Sequence, residues 1–134
     1  MKRFLFLVLT VALAAACSGC VTLLIGAAAG ATSVVWYNGE AQSTYDASMD
    51  KTWAACEKTF AELNITVTQN DGKDDQLTRV LVGRTQNDEK VKIHLKSLSD
   101  SSTKVGVRIG IFGDKDMSAR IHGEIRKQLG IQSN

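Results

Sequence analysis

Proline is absent from all 134 residues. That excludes a proline-rich linker and turns of the rigid, proline-set kind. Cysteine is scarce, at Cys17, Cys20 and Cys56, and histidine occurs only at His94 and His122. A zinc site needs a second Cys/His pair at a set spacing, which these scattered residues do not supply. "CSGC", Cys17 to Cys20, has the spacing of a redox pair, but it follows an apolar leader and no strand precedes it. The formal charge of +2 is carried by Lys2 and Arg3, so the rest of the chain is neutral and has no global electrostatic reason to bind nucleic acid. No serine stands in a nucleophile elbow, and the two histidines are too isolated to build a triad. "GIFG", Gly110 to Gly113, lacks the Gly-Lys-Ser/Thr ending of a phosphate loop. The acidic pairs Asp74/Asp75 and Asp88/Glu89 sit in polar turns, without the apolar setting that raises a carboxyl pKa. These absences point away from an enzyme and imply neither a metal nor a cofactor.

The amino terminus is better defined. Met1-Lys2-Arg3 is a short positive region, and Phe4 to Ala16 is a thirteen-residue apolar run followed by small residues. That order is the pattern of a secretory signal, and the run is short for a spanning helix of ~20 residues. An uncleaved anchor stays open, because uncharged "VTLLIGAAAGATSVVWY" follows from Val21, with small-xxx-small spacing at Gly26 and Gly30. Small residues directly before a cysteine resemble the lipobox of bacterial lipoproteins. There the thiol, a strong nucleophile, receives the lipid, and several acyl chains make the anchor durable. Cys17 follows Leu13-Ala14-Ala15-Ala16, and Cys20 follows Cys17-Ser18-Gly19. Ser-Gly-Cys is the preferred ending, so Cys20 is the expected lipidation site and Cys17 the alternative. The expected organisation is a signal peptide over 1–19, a Gly/Ala-rich membrane-proximal segment over 20–38 and a folded domain over 39–134.

Within the domain, Glu40 to Tyr45 reads as a strand, and Asn38-Gly39 before it suits either a hairpin turn or a linker break. Met49, Trp53, Cys56, Phe60 and Leu63 recur at steps of four and three, which predicts a helix over 48–64 capped by Ser48. Cys56 on that stripe is a small buried hydrophobe. "ITVTQ", Ile65 to Gln69, is a short strand, and "NDGKDD" is a solvated turn rather than a calcium loop. Three further strands follow from 77–85, 90–98 and 104–112. Val91, Ile93 and Leu95 alternate with Lys92, His94 and Lys96; Val105, Val107, Ile109 and Ile111 alternate with Lys104, Gly106, Arg108 and Gly110. Period-two alternation with short polar turns predicts an antiparallel meander with one buried face. A last helix capped by Asp114 or Asp116 buries Met117, Ile121 and Ile125. The fold class expected is α+β: a two-layer sandwich in the order strand, helix, four strands, helix, with both helices on one face of an antiparallel sheet.

The wet face of that sheet carries the one local feature with functional colour. Lys92, His94, Lys96 and Arg108, with Lys104, form a basic strip, and Gly106 and Gly110 leave it shallow. Such a strip could hold an anionic lipid head group or glycan; equally, lysines are ordinary on a solvated face, where they resist edge aggregation. The succession of Ser-Gly-Cys, a Gly/Ala-rich run, Tyr37-x-Gly39-Glu40 and the helix start "DASMDKTWAA" resembles a family of small bacterial lipoproteins classed as a domain of unknown function. Leu63 to Thr68 and "TKVGVRIGIFGD", Thr103 to Asp114, extend the resemblance over nearly the whole chain, most specifically at Arg108 to Asp114. It implies a secreted, lipidated envelope protein, held to a membrane by its lipid and facing the periplasm. The family pattern has leucine where Cys17 stands, which again favours Cys20. The residue after the anchor is not aspartate, so the outer membrane is the default in a diderm host. The resemblance supplies no catalytic residue. An envelope protein or an anionic lipid or glycan is the expected partner.

Overall fold

In the computed structural model, which describes residues 34–71 and 77–131, the chain enters the sheet through a hairpin. Asn38 and Gly39 both hold positive φ, at 50° and 78°, the sign pattern of a type I′ turn. They join β1 (Val35–Tyr37) to β2 (Glu40–Tyr45). The hairpin alternative at Asn38-Gly39 is therefore the one realised, and it adds a strand to the expected order. The signal region and both candidate anchors, Cys17 and Cys20, lie outside the described residues.

Helix α1 (Met49–Glu62) starts where Ser48, in extended conformation, accepts a hydrogen bond from the Lys51 N–H at 3.4 Å. Its buried face carries Met49, Cys56 and Phe60 as the spacing requires, with Trp53 and Leu63 half-buried at the rim. Thr52 and Thr59 are also buried there, their hydroxyls donating to the Ser48 and Ala55 carbonyls at 2.9 and 2.8 Å. The helix ends at Asn64 (φ 54°), with the Ile65 N–H reaching back to the Phe60 carbonyl at 2.8 Å. Then come β3 (Thr66–Asp71), β4 (Thr78–Arg84), β5 (Lys90–Ser99) and β6 (Ser102–Ile109), and helix α2 (Lys115–Gln128) closes the domain. Asp114 caps α2 by accepting from the Met117 N–H at 3.0 Å.

The six strands lie in the order β1-β2-β6-β5-β4-β3, and every neighbouring pair is antiparallel. The two helices contact each other and both contact β6. One core cluster joins Cys56 and Phe60 of α1 and Ile121 and Ile125 of α2 to Leu81, Ile93, Val107 and Ile109 of the sheet. This is the expected α+β two-layer sandwich, with six strands instead of five. A second departure lies at the end of β6. The alternation was expected to carry Ile111 into the core. Instead Gly110 takes φ 64°, the chain leaves the sheet after Ile109, and Ile111 is 78% exposed. Gly110 accordingly does not widen the basic strip.

Candidate ligand-binding face

Alternation along β5 sends Val91, Ile93 and Leu95 into the core and turns Lys92, His94 and Lys96 away from it. The register then decides which cations meet. Lys92 stands opposite Arg108, His94 opposite Gly106, and Lys96 opposite Lys104. On the far side of β6, Gln42 faces Gly106 and Thr44 faces Lys104. On the far side of β5, Val82, Val80 and Thr78 face Lys92, His94 and Lys96. All four sequence-predicted residues therefore share one face, with Lys104 among them.

Two of these cross-strand pairs set like charge directly against like charge, an arrangement that is destabilising. The described ion pairs are Arg79–Asp50, Arg84–Asp88 and Lys127–Glu124, and none of them neutralises the strip. Arg108 is partly diverted: its Nη2 donates to the Ile111 carbonyl at 2.5 Å, beyond the end of β6. His94 is half-buried, and that burial pushes its imidazole below the usual range, with Lys92 adding in the same direction and Glu40 opposing. At neutral pH it brings a hydrogen-bonding ring to the strip rather than a charge.

The shallow floor expected at Gly106 is occupied. A Cβ at that position would overlap Glu40 Oε1, so the carboxylate of Glu40 lies over the glycine. Gln42 Nε2 holds it there with a hydrogen bond of 3.0 Å. Only glycine lets the carboxylate come so close to the strand. The face thus has an acidic centre ringed by Lys92, Lys96, Lys104 and Arg108, which the sequence reasoning missed. The signal was available: Glu40 and Gln42 alternate with buried Ala41 and Ser43, which puts both on the lysine face.

Two other polar groupings lie on the helix side of the sheet. A cleft of roughly 360 Å³ is lined by Ser48, Asp50, Arg79, Ser97, Ser99 and Asp100. Its guanidinium is partly engaged: Arg79 Nη2 meets Asp50 Oδ1 at 2.7 Å and the group lies 5.8 Å from the Trp53 ring centroid, while Nε is buried without a hydrogen-bond partner. The cleft therefore reads as a clamp between β4 and the start of α1. The second grouping is wholly buried. Tyr45 Oη is 2.6 Å from His122 Nδ1, and His122 Nε2 is 2.8 Å from the Ala41 carbonyl oxygen. A carbonyl only accepts, so Nε2 carries the proton and Nδ1 accepts from the tyrosine hydroxyl. Burial pushes the histidine pKa down and the tyrosine pKa up, so both stay neutral. Neither side chain reaches solvent, and the pair ties β2 to α2. Sequence spacing shows only that His122 adjoins Ile121 on the buried stripe of α2, not that Tyr45 is its partner.

Cys56 is buried, and its thiol is pushed up to about 12 by that burial, which makes it an inert core residue. Among the described residues, no group of three or more His, Cys, Asp or Glu side chains is placed to hold a metal, and no helix is long and apolar enough to cross a membrane. A family model described as "Protein of unknown function (DUF3568)" matches residues 2–128. No curated protein matches the chain.

Proposed function

The chain belongs to the family described as a protein of unknown function (DUF3568), and from that premise we propose that it is a bacterial envelope lipoprotein whose folded domain binds an anionic envelope ligand without catalysis. The observation that carries the binding reading is the register of β5 on β6. Lys92 faces Arg108 and Lys96 faces Lys104, so the fold holds four cations side by side on a solvated sheet. The Glu40 carboxylate over Gly106 offsets part of their mutual repulsion, and an anion bound at the outer side of the ring relieves the rest. A head-group phosphate or an acidic glycan supplies the required charge.

The anchor reading rests on the positive start, the apolar run and the small residues before cysteine. Cys20 carries the lipid in this proposal, with Cys17 as the alternative, and the domain faces the periplasm, by default from the outer membrane. The experiment is retention of the domain on anionic liposomes and on an acidic-glycan matrix, over a salt gradient. The Lys92→Glu/Lys96→Glu variant is expected to elute at lower salt than the parent on at least one of the two. Equal retention of parent and variant on both would remove the binding reading.

A further inference from the structure

The stretch that most specifically carries the family resemblance, Arg108 to Asp114, is not used by the basic strip beyond its first residue. Its two large apolar side chains are the most exposed hydrophobic groups of the described residues: Ile111 at 78% and Phe112 at 89%. Their backbone is firmly held. The Gly110 N–H donates to the Lys90 carbonyl at 2.9 Å, and Arg108 Nη2 donates to the Ile111 carbonyl. Phe112 O lies 2.7 Å from where a Cβ on Gly39 would stand, so the turn is packed directly on the β1–β2 hairpin. Asp114 then fastens the far end to α2. A turn built from both sides, with its side chains left in water, is a preorganised contact.

We propose that Ile111 and Phe112 form a wedge that enters the interfacial layer of an anionic bilayer. Three observations select that occupant. First, the tip offers two exposed side chains, on the order of 150–250 Å² for the aromatic, far below the ~1,200 Å² or more of a stable protein interface. Second, Lys90, Arg108 and Lys115 border the turn, against Asp114, which caps the helix, and Asp116 in its first turn, so cations outnumber carboxylates there by one. Apolar residues bordered by a net positive charge suit the boundary between head groups and acyl chains. Third, β1 carries Val35 and Tyr37, at 57% and 62% exposure, and it is the strand through which the apolar amino-terminal stretch enters the domain. The wedge rests on the lipoprotein reading in one respect: a tether raises the local concentration of bilayer, so a two-residue contact suffices.

The test uses the full chain as extracted from its membrane, reconstituted in vesicles of phosphatidylglycerol and phosphatidylethanolamine with bromine near the head-group end of the acyl chains. Tryptophan fluorescence of Phe112→Trp is expected to be quenched beyond the parent protein. Ser101→Trp, in the β5–β6 turn at the opposite end of the sheet, is expected to match the parent. Equal quenching of the two variants overturns the wedge. So does a dimer in sedimentation that Phe112→Ser dissolves, with no extra quenching at 112, since the tip then serves a second copy. Intact mass of the same samples reads the anchor independently. An acylated chain with an unquenched Trp at 112 loses the wedge and keeps the lipoprotein reading; an unacylated chain with a quenched one does the reverse.

Discussion

At the scale of single residues, the buried Tyr45–His122 pair carries a measurable consequence. Folding holds His122 neutral, because burial lowers its pKa from the ordinary 6.5. The unfolded chain takes up a proton below that value and the folded chain does not, so stability falls as pH drops through about 6.5. One such proton is worth at most about 1.4 kcal/mol per pH unit. His94, also lowered by burial, adds a contribution of the same sign. Urea midpoints are expected to be lower at pH 5.5 than at pH 7.5, with a shallower dependence in His122→Gln; a flat profile in the parent protein would contradict the assignment of a neutral ring. Tyr45→Phe leaves Nδ1 as a buried acceptor without its donor and is expected to cost about 1–3 kcal/mol at neutral pH. None of this was legible in His122 alone. A single histidine announces a buried partner only when the fold brings Tyr45 to it from 77 residues away.

Elements were more legible than residues, and the reasons are physical. The stripe through Met49, Cys56 and Phe60 and the alternation through Val91, Ile93 and Leu95 each repeat often enough to exclude another period, and both faces are buried as expected. β1 was missed because three residues, Val35 to Tyr37, make no period and sit at the end of a long uncharged stretch. Ile111 was misplaced because alternation predicts a side and not an ending; the ending comes from the positive φ of Gly110. The basic face was legible in its cations, yet the Glu40 carboxylate over Gly106 depends on β2 lying beside β6, a pairing that local pattern does not contain. Helix ends can be tested directly. Asp114 is the side-chain acceptor at the start of α2, and Asp114→Ala is expected to lower stability by about 1 kcal/mol in chemical denaturation. An unchanged midpoint would mean that the tertiary packing of Ile121 and Ile125 alone sets the helix start.

At the scale of the whole domain, connectivity matters more than any element. Helix α1 carries the chain from β2 to the far edge of the sheet, and the meander β3-β4-β5-β6 works back until β6 slots between β5 and β2. The last strand is thus a central one, and its Val105, Val107 and Ile109 complete the core. A chain ending at Asp100 retains one helix, the β1–β2 hairpin and three meander strands. It is expected to show no cooperative thermal transition, because β2 has lost its long partner and α1 much of its floor. A sharp transition in that fragment would show that the β3–β5 meander folds without closure. The same connectivity has a temporal meaning. The strand that closes the sheet is made only after both of its neighbours, β2 and β5, and the His122–Ala41 hydrogen bond joins residues 81 apart. The two halves of the sheet, the β1–β2 hairpin and the β3–β5 meander, are therefore joined only by the strand made after both.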